Sequence, residues 1–219
     1  MTDTLFFDLD GTLVDSGDGI MKTVRHTLAR FGIQVEDWQQ LRPFVGPPLE
    51  DSFRDFYGFG ERQAQEAVEV YREEFARQGI FDQRLYPGVC DFLDEVRRRG
   101  YATALATSKM DFQAVQVTGE IFPQLGRRLD RVFARDSAGT LHTKADVIRY
   151  GLRQMDISEP ERVLMVGDRK FDVQGAKSCG LHSAGVLFGF GDYGELEAAG
   201  ATYICSSYAE LLDLLPAIA

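Results

Sequence analysis

The chain has 219 residues, 44% of them hydrophobic with 16 Phe, and a formal net charge of −10. Such a composition excludes general disorder, because there is ample apolar material for a packed core. The acidic balance argues against broad binding of nucleic-acid backbones or anionic membranes, which are held by summed positive charge.

The N-terminal apolar run Leu5-Phe6-Phe7 reads as the start of a buried strand over 5–9, ending in Asp8, Asp10 and Gly11. With Asp3, Asp8 and Asp10 so close, this run is no signal peptide. From 16 to 84 strand signals almost vanish. Ile20, Val24, Leu28 and Phe31 mark one helical face and Val68, Tyr71 and Phe75 another, with a loop PFVGPPLED between them. From Tyr86 the rhythm changes. A helix is expected from Pro87-Gly88 to Arg99, a strand over 101–106, a helix, and a short strand around Val132-Phe133. A turn at DSAGT leads to a helix over 143–155, a strand over 162–166 and a helix over 171–179. SAGVL and ATYIC read as the last strands and 208–215 as the final helix. No stretch approaches the ~18 apolar residues of a membrane span. Cys90, Cys179 and Cys205 are odd in number and far apart, which suits ordinary thiols in a reducing cytoplasm.

Strands alternating with helices predict an α/β fold with a doubly wound parallel sheet, a Rossmann-like core. The block 16–84 interrupts that alternation. It is expected to be a smaller inserted α-helical domain, leaving 1–15 and 85–219 as the core. In such sheets ligands bind beyond the carboxyl ends of the strands. Asp8 and Asp10, Thr107 and Ser108, and Asp168 all fall at such ends, so separate strands deliver polar groups to one edge. Alternation puts Asp8 and Asp10 on the same side of their strand. Their repulsion costs stability unless a cation offsets it, and a hard divalent ion held by Asp8 and Asp168 would do so. Mg²⁺ fits best, because it needs few protein ligands. A carboxylate beside such an ion can attack phosphorus. A second carboxyl two residues on can protonate the leaving alkoxide and later deprotonate water. Lys144, at a helix start, can balance phosphoryl charge, and Asp172, one turn after Asp168, can hold a metal-bound water or orient Lys144.

DLDGTLVDS resembles the first motif of the haloacid dehalogenase superfamily in its phosphatase form. ALATSK is similar to its second motif, Lys144 to its third and VGDRKFD to its fourth. The resemblance implies Asp8 as nucleophile and Asp10 as general acid/base. It implies phosphate binding by Thr107, Ser108 and Lys144, and Mg²⁺ at Asp8, the Asp10 carbonyl and Asp168, with Asp172 in support. The insertion resembles the family's helical cap domain. Within the family the chain looks closest to phosphoglycolate phosphatase-like enzymes acting on a small phosphorylated metabolite, while VGDRKFDVQGAKSCG resembles a 5′-nucleotidase-like branch. A sugar-phosphate mutase and a non-catalytic phosphate-binding protein are the alternatives. The mutases hold a distal phosphate with a cap arginine, where this chain has FVGPPLED, although Arg42 or Arg54 could substitute. The third motif reads Lys144-Ala145 in place of Lys-Pro. GFGDYG (189–194) matches a dinucleotide fingerprint only literally and reads better as a glycine-rich loop near the metal site. His26, His142 and His182 show no ligand spacing.

Overall fold

The computed structural model describes residues 2–215. They divide into two compact units, Asp15–Arg84 and the remainder of the chain on either side of it. In chain order, β1 (Thr4–Phe7) and β2 (Val14–Asp15) precede α1 (Gly17–Arg30), α2 (Leu49–Tyr57) and α3 (Glu61–Arg77). Then come β3 (Arg84–Leu85), α4 (Val89–Arg98), β4 (Ala102–Met110), α5 (Asp111–Gln116), α6 (Pro123–Gly126) and β5 (Arg131–Arg135). The chain continues through α7 (Lys144–Gln154), β6 (Val163–Gly167), α8 (Lys170–Ser178), β7 (His182–Val186), α9 (Tyr193–Ala199), β8 (Tyr203–Cys205) and α10 (Tyr208–Asp213).

The larger unit is built on a six-stranded sheet of order β5-β4-β1-β6-β7-β8, with parallel pairings throughout. β1 and β6 lie at its centre and are buried at every position, as expected of strands covered on both faces. Winding proceeds outward from β1 to β4 and β5, then crosses back to β6 and runs outward the other way. That reversal at β1 creates the crevice in which open α/β sheets carry ligands. The register places Phe7 opposite Leu105 on one side and Val166 on the other, so the end of β1 stands level with the end of β6 and with the middle of β4.

One face of the sheet is sealed by Phe6, Ala104, Ala106, Phe133 and Met165 against Val147, Ile148 and Leu152 of α7 and Ala176 of α8. Each large apolar side chain buried there contributes roughly 1.5–3 kcal/mol. The helical period has a consequence for chemistry. Lys144, Val147, Ile148, Gly151 and Leu152 form the buried stripe of α7, so the packing that anchors the helix also carries the Lys144 ammonium to the edge of the sheet.

The smaller unit is helical: a 3₁₀ turn at Trp38–Phe44 lies between α1 and α2, and a second at Gly79–Phe81 follows α3. Its aromatic core includes Phe44 against Phe53 (5.2 Å) and Phe53 stacked on Phe59. Phe44 and Val45, expected in a loop, are buried, which leaves Gly46, Pro47 and Pro48 as the loop proper before α2.

Candidate active site

The first acidic motif follows β1 directly. The Asp8 N–H donates to the Val166 carbonyl (2.9 Å), extending the ladder one residue past the strand. The chain then turns back at once, with the Leu13 and Val14 N–H groups donating to the Leu9 carbonyl and Gly11 N–H donating to Val14 (2.8 Å). Gly11 sits at φ +81°, and a Cβ there would lie 2.1 Å from Asp168 Oδ2. Both the turn and the close approach of Asp168 therefore require glycine.

Asp168 stands immediately after β6 and is wholly buried. One oxygen accepts the Phe190 N–H (2.8 Å) and the other is 3.4 Å from the Thr12 hydroxyl. The glycine-rich loop after β7 thus lies on the acidic site. A Cβ at Gly189 would come within 2.4 Å of Asp168 Cβ and of the Gly11 carbonyl, so the loop's composition answers to packing on Asp168 and not to a dinucleotide. Asp172 is in the first turn of α8, where its carboxylate accepts the Arg169 N–H (3.1 Å) and caps the helix.

Lys144 opens α7 behind a capping box formed by Thr143 and Asp146. Its ammonium is 2.8 Å from Asp8 Oδ1, 2.8 Å from Asp172 Oδ1 and 2.9 Å from the Ala106 carbonyl it donates to. The lysine thus ties together Asp8 just after β1, Ala106 within β4 and Asp172 in the first turn of α8. Burial opposes its charge, but Asp172 and Asp8 outweigh burial and hold it above the ordinary lysine range.

Asp8, Asp168 and Asp172 offer carboxylate oxygens that all lie within 4.8 Å of one another. Burial, reinforced by Asp172 and Asp8, pushes the Asp168 carboxyl well above its usual value. Burial also raises Asp172, to about 6, with Asp8 adding to the shift and Lys144 opposing it. Asp8 Oδ1 and Asp172 Oδ1 accept no well-aligned hydrogen bond; their contact with Lys144 is ionic. Lys144 pairs with Asp8 and Asp172 but not with Asp168, so one ammonium serves a cluster of three carboxyl groups and full ionisation of the cluster would leave it short of positive charge. Hard oxygen donors, incomplete hydrogen bonding and this deficit together fit a divalent cation.

Asp10 is set apart. Its carboxylate is not one of the three that converge; both its oxygens are held by Lys109, at 2.8 and 2.9 Å. The sequence reading missed Lys109 because the strand it expected stops at Ala106, whereas β4 runs on to Met110 with a register shift between Thr107 and Met110. Strand alternation gives no signal for it, because the register shift falls at residues 108 and 109. Thr107 is buried and its hydroxyl accepts the Lys109 N–H (3.2 Å), whereas Ser108 is exposed.

A doubly wound sheet thus carries an acidic triad, a bridging lysine and a fourth carboxylate at its switch point. The chain belongs to the haloacid dehalogenase-like hydrolase family, whose match spans residues 5–186, and it is a phosphatase of that family. It is 36% identical over 211 residues to a 5′-nucleotidase of Pseudomonas aeruginosa, covering 96% of this chain and 94% of that protein. The crystal structure of a predicted phosphatase from Clostridium acetobutylicum superposes with a TM-score of 0.91 at 40% identity, covering 98% and 99% of the two chains. The tyrosine-protein kinase PtkA of Mycobacterium tuberculosis is 32% identical over 211 residues, covering 96% of this chain and 70% of that protein. Among the described residues no helix is long and apolar enough to cross a membrane.

Proposed function

We propose that the protein is a Mg²⁺-dependent phosphomonoester hydrolase of the cytoplasm that works through an aspartyl-phosphate on Asp8. One observation carries this reading: Lys144 joins Asp8 to Asp172 at 2.8 Å each, within a carboxylate triad completed by Asp168. The substrate is a small phosphorylated metabolite of the phosphoglycolate or nucleoside 5′-monophosphate kind.

In the first step the Asp8 carboxylate attacks phosphorus, the bond to the ester oxygen breaks, and Asp10 gives its proton to the departing alkoxide. In the second step Asp10 takes a proton from water as the water attacks phosphorus, and phosphate leaves with the Asp8 carboxylate restored. Thr107, Ser108 and Lys144 hold the phosphoryl oxygens. Lys144 is already engaged by Asp8, Asp172 and the Ala106 carbonyl, so it contributes charge in place, or trades one of these contacts for a phosphoryl oxygen. Asp8, Asp168 and the Asp10 carbonyl would hold the cation with Asp172 behind them, and a bound Mg²⁺ supplies charge neutralisation for the transferring group. Residues 16–84 are read as a cap that selects the leaving group, with 1–15 and 85–219 as the catalytic core. Arg42, Arg54 and the Gly46–Pro48 loop are its candidate contacts.

The test is release of phosphate from p-nitrophenyl phosphate and from a panel of metabolite esters, with Mg²⁺ or with EDTA. Metal-dependent release supports the reading. Incorporation of phosphate from ATP into protein tyrosine, without ester hydrolysis, would replace it with the activity named for the mycobacterial relative.

A further inference from the structure

Lys109 has no part in the scheme above, yet like Lys144 it is nearly buried and held against a carboxylate. Only 5% of its side chain is exposed, against 23% for Asp10. Its backbone N–H donates to the Thr107 hydroxyl (3.2 Å), so the main chain is fixed at the residue's root. Its ammonium meets both Asp10 oxygens, at 2.8 and 2.9 Å, so the tip is fixed as well. The near-equality of the two contacts matters. The last torsion of an aspartate is broad and soft, and a single contact to one oxygen leaves it free to turn. Contact with both oxygens sets the carboxyl plane. Withdrawing an ammonium from water is costly and is offset only by good geometry. Each early aspartate therefore has its own lysine, Lys144 on Asp8 and Lys109 on Asp10.

We propose that Lys109 is the positioning residue for the general acid/base: by gripping both oxygens it aims Asp10 at the leaving-group oxygen. The proposal rests on the reading of Asp10 as proton donor. In the proton-donating state one Asp10 oxygen carries the proton and the ammonium keeps the other; during cleavage of the P–O bond that proton passes to the departing oxygen, and the carboxylate so formed takes the ammonium on both oxygens, the arrangement of this structure. Loss of Lys109 then matters in proportion to how much protonation the leaving group needs. A nitrophenolate departs unaided; an alkoxide does not.

The experiment compares kcat/KM, which reports events up to P–O cleavage, for p-nitrophenyl phosphate and for the best alkyl phosphate of the panel. The variants are Lys109→Met, Lys109→Arg and Asp10→Asn, all checked for folding by circular dichroism. General acid catalysis contributes about 10²–10⁴-fold, so Asp10→Asn is expected to lower the alkyl ester by about 10³-fold and the aryl ester by less than about 10-fold. Lys109→Met should show the same selectivity at about 10²-fold on the alkyl ester, with KM little changed, and Lys109→Arg should recover part of it. Equal losses on both esters in Lys109→Met, beside a selective loss in Asp10→Asn, would overturn the proposal and leave the reading of Asp10 standing. Equal losses in Asp10→Asn would overturn that reading instead. Should the methionine variant fail to fold, Lys109→Gln, which keeps a donor without the charge, carries the same comparison.

Discussion

Replacing Lys144 by Met keeps the aliphatic stem and its packing but removes the ammonium from two carboxylates 2.8 Å away. At that separation each pair is worth roughly 6 kcal/mol gross for an effective dielectric near 20. The desolvation recovered when the buried charge is deleted cancels much of this, and breaking a buried pair typically costs about 3–5 kcal/mol net. For a chain of this length that corresponds to a fall in Tm of roughly 10–15 °C. The sign of the pH dependence follows from burial. Asp172 already titrates at about 6 when folded, above its ordinary value of 3.8, and loss of Lys144 removes an influence that lowers it. A carboxyl raised on folding favours the folded state below its unfolded pKa, and that contribution is lost as pH rises through the folded value. The variant's deficit is thus smallest near pH 5 and grows towards pH 7.5. Thermal unfolding of the metal-free wild type and Lys144→Met at both pH values, followed by circular dichroism, measures it. A deficit below about 1 kcal/mol at pH 7.5, or one larger at pH 5 than at pH 7.5, would refute the reasoning.

The same linkage predicts that Mg²⁺ raises the wild-type Tm, and raises it more at pH 7.5 than at pH 5, because protons compete for the Asp168 and Asp172 carboxyls that burial pushes upward. Titrating Tm against Mg²⁺ in the wild type and in Asp168→Asn checks this; equal gains in both proteins would contradict it. Gly11→Ala introduces a Cβ 2.1 Å from Asp168 Oδ2 at φ +81°. It should cost about 1–3 kcal/mol in backbone strain alone and weaken Mg²⁺ binding, as read by the metal concentration for half-maximal activity. An unchanged half-maximal concentration would show that the turn does not set the position of Asp168.

The parts of the site that were legible in the sequence share one physical cause. β1 and β6 are unbroken apolar runs, and the first carboxylates after them, Asp8 and Asp168, could only fall at strand ends. Thr143 announced the start of α7, so Lys144 could be placed at its head. Other features were hidden for equally particular reasons. Thr-Ser-Lys-Met carries little hydrophobic signal, so the extension of β4 that bears Lys109 was invisible, and with it the partner of Asp10. β1, expected over 5–9, is shorter, because beyond Phe7 the chain curls back onto the Leu9 carbonyl. α9 was overlooked although its caps were in plain view: Asp192 accepts the Glu195 N–H (2.8 Å) and Gly200 closes the helix at φ +85°. The start of α2 falls within the expected loop PFVGPPLED, since this nine-residue helix buries only Ser52 and Phe53 and so carries little apolar periodicity. The ion pairs of Lys109 with Asp10 and of Lys144 with Asp8 join residues far apart in the chain and leave no local pattern at all.

The central claim is that Asp8 becomes phosphorylated during turnover. Rapid acid quench of the protein with its best substrate and Mg²⁺, followed by peptide mass spectrometry, tests it directly. A phosphoryl group on the peptide carrying Asp8, formed and lost at rates that match turnover and absent in Asp8→Asn, is the predicted result. Phosphate release at full rate with no phosphorylated Asp8 peptide, or undiminished hydrolysis by Asp8→Asn, would contradict it.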